Sequence, residues 1–168
     1  MQRRDTLKSG LLLGLGASFG LGTLAGWPRP AHAHHGWSSF DQQRPIYLEG
    51  RATEVKWRNP HAEFVLQLAN PLQLPADLAS RPVPAQTANV DGAGILAKAT
   101  LPTRRDARWE IELAPMFRMG QWQVPEITEG MPVAMVGFTF IEEKGSALCR
   151  VEYLFLNGRT YGMRSSPA

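Results

Sequence analysis

The stretch Ile46-Tyr47-Leu48-Glu49-Gly50-Arg51-Ala52-Thr53-Glu54-Val55-Lys56-Trp57 decides how the rest of the sequence is read. Apolar and polar residues alternate along most of it, as in a strand with one buried face. Gly50 in its middle signals a bulge or a sharp bend. Outward from this strand, Asn59-Pro60 is a turn signal and residues 63–68 (EFVLQL) form the next strand. Residues 108–113 (RWEIEL) alternate cleanly, with Trp109, Ile111 and Leu113 on one face and Glu110 and Glu112 on the other. Residues 115–122 (PMFRMGQW) suit a short helix with proline in its first turn. Glu129-Gly130 is a turn, 132–141 and 147–156 are strands, and Asn157-Gly158 is a hairpin signal leading to a last strand at 160–163.

Residues 70–106 differ from the rest. They hold Pro71, Pro75, Pro82, Pro84 and Pro102 and read as a long proline-rich surface loop between the second and third strands. Strand, strand, long loop, strand, short helix, strand, strand is the order of a mainly all-β, five-stranded Greek-key barrel of the oligonucleotide/oligosaccharide-binding (OB) type. A small open barrel or a sandwich with other connections is the alternative. Such folds host many activities, so the chemistry has to be argued from the residues.

Residues 1–33 have the three-part order of a cleavable signal peptide. A basic start with Arg3, Arg4 and Lys8 precedes the uncharged, glycine-rich run GLLLGLGASFGLGTLAG at 10–26, and Ala31-His32-Ala33 supplies a small-x-small cleavage pattern. The paired arginines, followed by Leu7-Lys8, resemble a twin-arginine export signal, although Thr6 stands where phenylalanine is usual. The apolar run is shorter than the roughly 20 residues of a spanning helix. The expectation is therefore a periplasmic domain, 34–168, with no stable membrane span after cleavage.

The chain has 18 Lys+Arg against 15 Asp+Glu, but the signal segment holds four of the basic residues and one acidic residue. The exported part is thus balanced and lacks the excess charge a nucleic-acid partner needs. The single cysteine, Cys149, excludes an internal disulfide, and its apolar-alternating setting reads as a buried small side chain rather than a nucleophile.

Three of the four histidines, His32, His34 and His35, cluster at the cleavage point, and the fourth is His61. Cleavage after Ala33 makes His34 the N-terminus, where the α-amino nitrogen and its own ring nitrogen chelate one ion together. A second imidazole, from His61 or His35, completes a T-shaped three-nitrogen set suited to Cu(II). The competing reading is a polar tip at 34–35 and a surface turn residue at 61. Distance constrains the copper reading. Extended, 46–57 spans roughly 36 Å at about 3.3 Å per residue, so the tail must double back along the whole strand to bring His34 to His61, unless that strand coils.

Other chemistry is thinner. Met116 and Met119 at helical spacing, with Met131 and Met135, are soft donors for Cu(I), but such methionines more often fill a core. Glu110 and Glu112 share a face that solvent exposure explains equally well. No nucleophile elbow, phosphate loop, C-x-x-C or H-E-x-x-H is present, which points away from an enzyme. A pure interaction module is the rival class, using Trp57, Trp109, Trp122 and the proline-rich loop against a periplasmic protein or a small apolar ligand. A copper-dependent oxidoreductase is a third class, differing from the first only in an open coordination position.

The sequence resembles a family of small exported bacterial proteins catalogued as a domain of unknown function. The resemblance rests on His34-His35-Gly36-Trp37-Ser38-Ser39-Phe40-Asp41, Leu48-Glu49-Gly50, Val55-Lys56-Trp57 and Asn59-Pro60-His61. It continues through Trp109-Glu110-Ile111-Glu112-Leu113, Gly120-Gln121-Trp122, Glu129-Gly130 and Asn157-Gly158-Arg159. Members open His-His-Ser-Phe, where this sequence has Gly36-Trp37 after the histidines, and their counterpart of 70–106 is a short turn. The resemblance implies a small β domain outside the cytoplasm and carries no activity with it.

Overall fold

The computed structural model describes residues 36–168, so the expected signal peptide lies outside the described residues. Six strands form one sheet: β1 (Ile46–Trp57), β2 (His61–Leu68), β3 (Arg108–Pro115), β4 (Pro132–Phe138), β5 (Leu148–Leu156) and β6 (Arg159–Gly162). Their order is β3-β2-β1-β4-β5-β6, and a further pairing of β3 with β5 closes the first five into a barrel. That closing contact is parallel, while the other pairings are antiparallel. The expected OB-type barrel is the fold. β6 stands outside the ring, hairpinned to the second half of β5 through Asn157 and Gly158, both at positive φ (51° and 74°).

β1 belongs to both halves of the barrel. Its first half pairs with β4 and its second half with β2, and Gly50 is bonded to both, opposite Val133 and Leu68. A Cβ at Gly50 would collide with the backbone carbonyl of Gln67, so only glycine lets the strands approach this closely. The bulge itself lies further on. The register slips between Thr53 and Lys56, where Glu54 has φ 52°, adding one residue and sharpening the bend.

The bend wraps β1 around the barrel. Read sideways, Phe138 on β4 faces Arg150 on β5, Arg150 faces Glu112 on β3, Glu112 faces Glu63 on β2, and Glu63 faces Lys56 on β1. Phe138 directly follows Gly137, the partner of Ile46. One row therefore leaves β1 at its start and returns to it near its end.

The inward faces of the strands make the main core, including Leu48, Phe64, Leu66, Trp109, Ile111, Val151 and Leu154. The expected helix is α2 (Met116–Gln121), with Pro115 as its N-cap. It plugs the barrel with Met119 and the following Trp122, whose indole nitrogen donates to the Ser165 carbonyl at 2.8 Å.

Residues 70–106 are more ordered than a bare loop. They contain a 3-10 turn at Leu78–Ser80 and a helix, α1 (Gly92–Lys98), capped by the Asp91 carboxylate on the Gly94 amide. Leu78, Leu96 and Ala99 build a second small core against Tyr47, Val136 and Tyr153 on the barrel's outer side. A parallel bridge joins Thr100 to Ile46, and the chain end pairs antiparallel with the segment through Gln86 and Pro167. Glu143 latches the exit of this segment, accepting from the amides of Thr103 and Arg104 and from Arg44 at 2.7–3.0 Å. No helix among the described residues is long and apolar enough to cross a membrane.

Close approach at Gly50 gives a direct contrast. Gly50→Ala is expected to lower stability by about 1–3 kcal/mol through forced backbone separation. Gly120→Ala, on α2 with nothing near its built Cβ, is expected to be neutral or to gain about 0.5–1 kcal/mol. Paired urea denaturations measure both.

Candidate functional site

The second core covers the outer side of β1, β4 and β5, whereas the row across β2 and β3 carries polar side chains. Along it, Lys56 reaches Glu63 at 3.8 Å and Arg150 reaches Glu112 at 3.4 Å. Alternation along β2 buries Ala62, Phe64 and Leu66 and turns His61, Glu63 and Val65 outward. His61 opens β2 opposite Pro115, on the same outer face as Glu63, and its Nδ1 atom is buried. The Pro60 carbonyl before it accepts from the Met116 amide at 3.2 Å, which ties this corner to α2.

Arg150 leads to the other end of the site. Its guanidinium lies over Trp37 at 4.7 Å from the ring centre, and that of Arg164 lies over the same ring at 4.0 Å. Trp37 begins the 3-10 turn Trp37–Ser39 and packs edge-on against Phe138 and Phe40, while Phe40 stacks on Phe140 at 5.3 Å. Phe40 also bridges to Phe140 through the backbone. Trp37 thus fixes the start of the described chain on the outer face, at β5.

The Arg164 side of this clamp rests on a buried acid. Glu152 is fully buried and accepts from Arg164 at 2.7 Å and from Gln86 at 3.1 Å. Burial raises its carboxyl above the usual carboxylate range, and Arg164 and Gln86 only partly offset that. The Glu143 latch has the opposite balance. Burial alone would raise Glu143, but the amides of Thr103 and Arg104, with Arg44, hold it below the usual range.

Of the candidate ligands His34, His35 and His61, the first two lie outside the described residues, and His61 is the one the structure locates. Among the described residues no three His, Cys, Asp or Glu side chains come together as a metal-ligating group. The soft-donor alternative dissolves into packing: Met119 and Met135 are core residues, and Met116 and Met131 pack against the same core. Trp109 and Trp122 are likewise buried, so of the three tryptophans proposed as an interaction face only Trp57 is half exposed. Glu110 is exposed, but Glu112 is covered and paired with Arg150, so the two glutamates do not act as a carboxylate pair. Cys149 is wholly buried and its thiol is pushed up by burial.

Sequence reasoning missed Trp37, Arg118, Arg150, Glu152 and Arg164. A signal was there: Arg150 and Glu152 interrupt the apolar strand LCRVEYLFL, where charges need partners to be buried.

A family of unknown function, DUF6152, matches the chain over residues 23–73, which takes in Trp37, β1 and His61. No curated protein and no solved structure is matched by the chain.

Glu152 sets a pH dependence. Its raised folded-state pKa means the folded chain holds the proton more tightly than the unfolded chain. Its contribution to stability is therefore lost as pH rises from the ordinary carboxylate value through the raised one. Glu152→Gln, neutral throughout, is expected to become more favourable relative to wild type across that window, measured by urea denaturation between about pH 4 and 8.

Proposed function

We propose that the mature chain is a periplasmic, non-enzymatic copper-binding or accessory protein, exported by its twin-arginine-like signal and cut after Ala33. His34 supplies its α-amino nitrogen and its ring nitrogen, and His61, or His35 next to it, supplies the third nitrogen of a tetragonal Cu(II) set.

One observation carries this reading: the wrapped β1 and the Trp37 clamp bring the N-terminal end of the described chain to the outer face that His61 occupies. The strand whose extended length separated the tail from His61 coils instead, so the span shrinks. Arg150, beneath Trp37, is two strands from Glu63, and His61 is two residues beyond Glu63. At about 4.8 Å per strand and 3.3 Å per residue, this is about 12 Å between Cα atoms. Trp37 also packs on Phe138, one strand beyond Arg150, and three residues back from it reach about 10 Å, to which the imidazoles add their own length.

A second reading is supported by Phe117, which is 64 % exposed on α2 beside the half-buried Met116. That reading is the interaction module without metal, with Phe117, under the Arg118 guanidinium at 5.6 Å, as its contact residue.

The decisive experiment is a Cu(II) titration of mature protein whose His34 terminus has been verified by mass spectrometry, read by electron paramagnetic resonance. The expected result is three-nitrogen coupling that disappears when one residue is added before His34, with one nitrogen lost in His61→Ala or, where His35 is the third ligand, in His35→Ala. Trp37→Ala is expected to weaken binding while leaving the nitrogen count unchanged. Absence of tight binding, or binding indifferent to the added residue, rejects the copper reading and leaves the interaction module.

A further inference from the structure

Glu152 is the extra residue of a bulge in β5. The register with β4 slips between Val136 and Gly137, whose partners are Tyr153 and Val151, so Glu152 has no opposite number on β4. A bulge re-aims a side chain out of the alternation of its strand. Here it delivers a carboxylate to a fully buried seat beneath the segment that leads into α1.

Gln86 of that segment fills the other side of the seat. Its Nε2 donates to Glu152 Oε1 at 3.1 Å and to the Tyr153 hydroxyl at 3.4 Å, while its Oε1 accepts from the Ser165 amide at 3.0 Å. A Cβ at Gly162 would strike the Gln86 side chain, so β6 leaves room for it. Ser165 is tied to the barrel by Trp122, which donates to its carbonyl. Around Gln86 the segment pairs with the chain end: the Thr87 amide donates to Ser166, the Ala168 amide to Ala85 and the Ala88 amide to the Ser165 hydroxyl, at 2.8–3.2 Å. Residues 83–90 and Tyr153 line a cavity of about 350 Å³, so the middle of this strap is held by polar contacts more than by packing.

The pattern requires an ionised Glu152. The Ser165 amide can only donate, so it takes the Gln86 oxygen and leaves the NH2 group facing the carboxylate. Both carboxylate oxygens therefore meet donors, Oε1 from Gln86 and Oε2 from Arg164 at 2.7 Å. A proton on this carboxyl needs an acceptor. Arginine offers none, and Gln86 offers one only by turning its amide over. Its NH2 group then faces the Ser165 amide, two donors oppose each other, and that bond is lost.

The charged and titratable groups around Glu152 are Arg164, Tyr153 and, beyond Tyr153, Asp91. Burial keeps the Tyr153 phenol above its ordinary value, and the Asp91 carboxylate is taken up in the cap of α1. Burial also holds the Glu152 carboxyl above the usual carboxylate range, which moves its proton uptake toward neutrality.

We propose that Glu152 is a proton-operated lock on residues 83–90: ionised, it orients Gln86 and fastens the strap to the C-terminal segment, and protonated, it lets the strap go. The lock is independent of copper.

The test is hydrogen exchange by nuclear magnetic resonance on metal-free mature protein between about pH 4 and 8. Protection of the Ser165 and Thr87 amides is expected to fall about three- to tenfold on acidification, the scale of one hydrogen bond. The fall is expected to track the titration of the Glu152 carboxyl carbon, while amides of the β1–β4 pairing keep their protection. Glu152→Gln, whose side-chain amide presents a donor as the protonated acid does, is expected to show the low protection at every pH. Gln86→Ala is expected to lose the pH response while Glu152 still titrates, and Asp91→Asn is expected to retain it. If wild-type protection ignores the titration of Glu152, if Glu152→Gln keeps the wild-type response, or if Asp91→Asn abolishes it, Glu152 is not the lock. Should Glu152→Gln fail to fold, Gln86→Ala decides, since a pH response that survives there overturns the proposal.

Discussion

The contact at Gly50, where three backbones meet with no room for a side-chain carbon, governs this architecture. β1 must bond to β4 with its first half and to β2 with its second, and the two pairings overlap only at Gly50 and Arg51. With the extra residue at Glu54 turning the strand further, β1 becomes a coil around the barrel rather than a straight ribbon. The ring then has the curvature to bring β3 beside β5 for the parallel closing pair. A comparable squeeze at Gly137, whose Cβ would strike the Arg150 carbonyl, keeps β4 tight against β5. Small barrels need steep strand tilt to close, and here that tilt depends on two glycines whose value is the absence of a side chain.

Closure divides the outer surface into unlike halves. The segment between β2 and β3 lays Leu78, Leu96 and Ala99 over one half and is held there by Thr100, by the chain end and by Glu143. The other half keeps a polar row from Lys56 to Arg150, bordered by the aromatic cluster around Trp37. Interactions across that row are graded by exposure. The Lys56–Glu63 pair is exposed and contributes little, whereas the nearly covered Glu112 and Glu152 depend on their arginines, because a buried carboxylate without a partner is costly.

Much of the barrel was legible in the sequence because its signals are local. Trp109, Ile111 and Leu113 alternate with Glu110 and Glu112, Asn157-Gly158 can form only a tight turn with positive φ at both positions, and Pro115 starts the short helix it was expected to start. The role of Gly50 was half legible: a glycine in a strand announces a bend, but whether it marks a bulge or a close approach depends on neighbours from distant sequence. The second core was not legible, since Leu78, Val83, Val90, Ile95 and Leu96 follow no period and sit among prolines. Nor was the Trp37 clamp. Its partners Arg150 and Arg164 are far along the chain, and only the closed barrel brings them to the first described residues. Of the candidate site, His61 was found from its rarity, and its outward direction on β2 needed the fold.

The parallel β3–β5 pair also sets an order of assembly. Local hairpins such as β1–β2 need only their own residues, but the ring has no closing strand until residues 148–156 are available. A chain released from its N-terminal end stays an open, edge-exposed sheet through most of its length, with β3 unpaired on one side. Trp37 finds Arg150 and Arg164 only after that last stretch has arrived. The aromatic clamp near the start of the chain is therefore among the last contacts to form, a seal on a finished barrel rather than a seed for it.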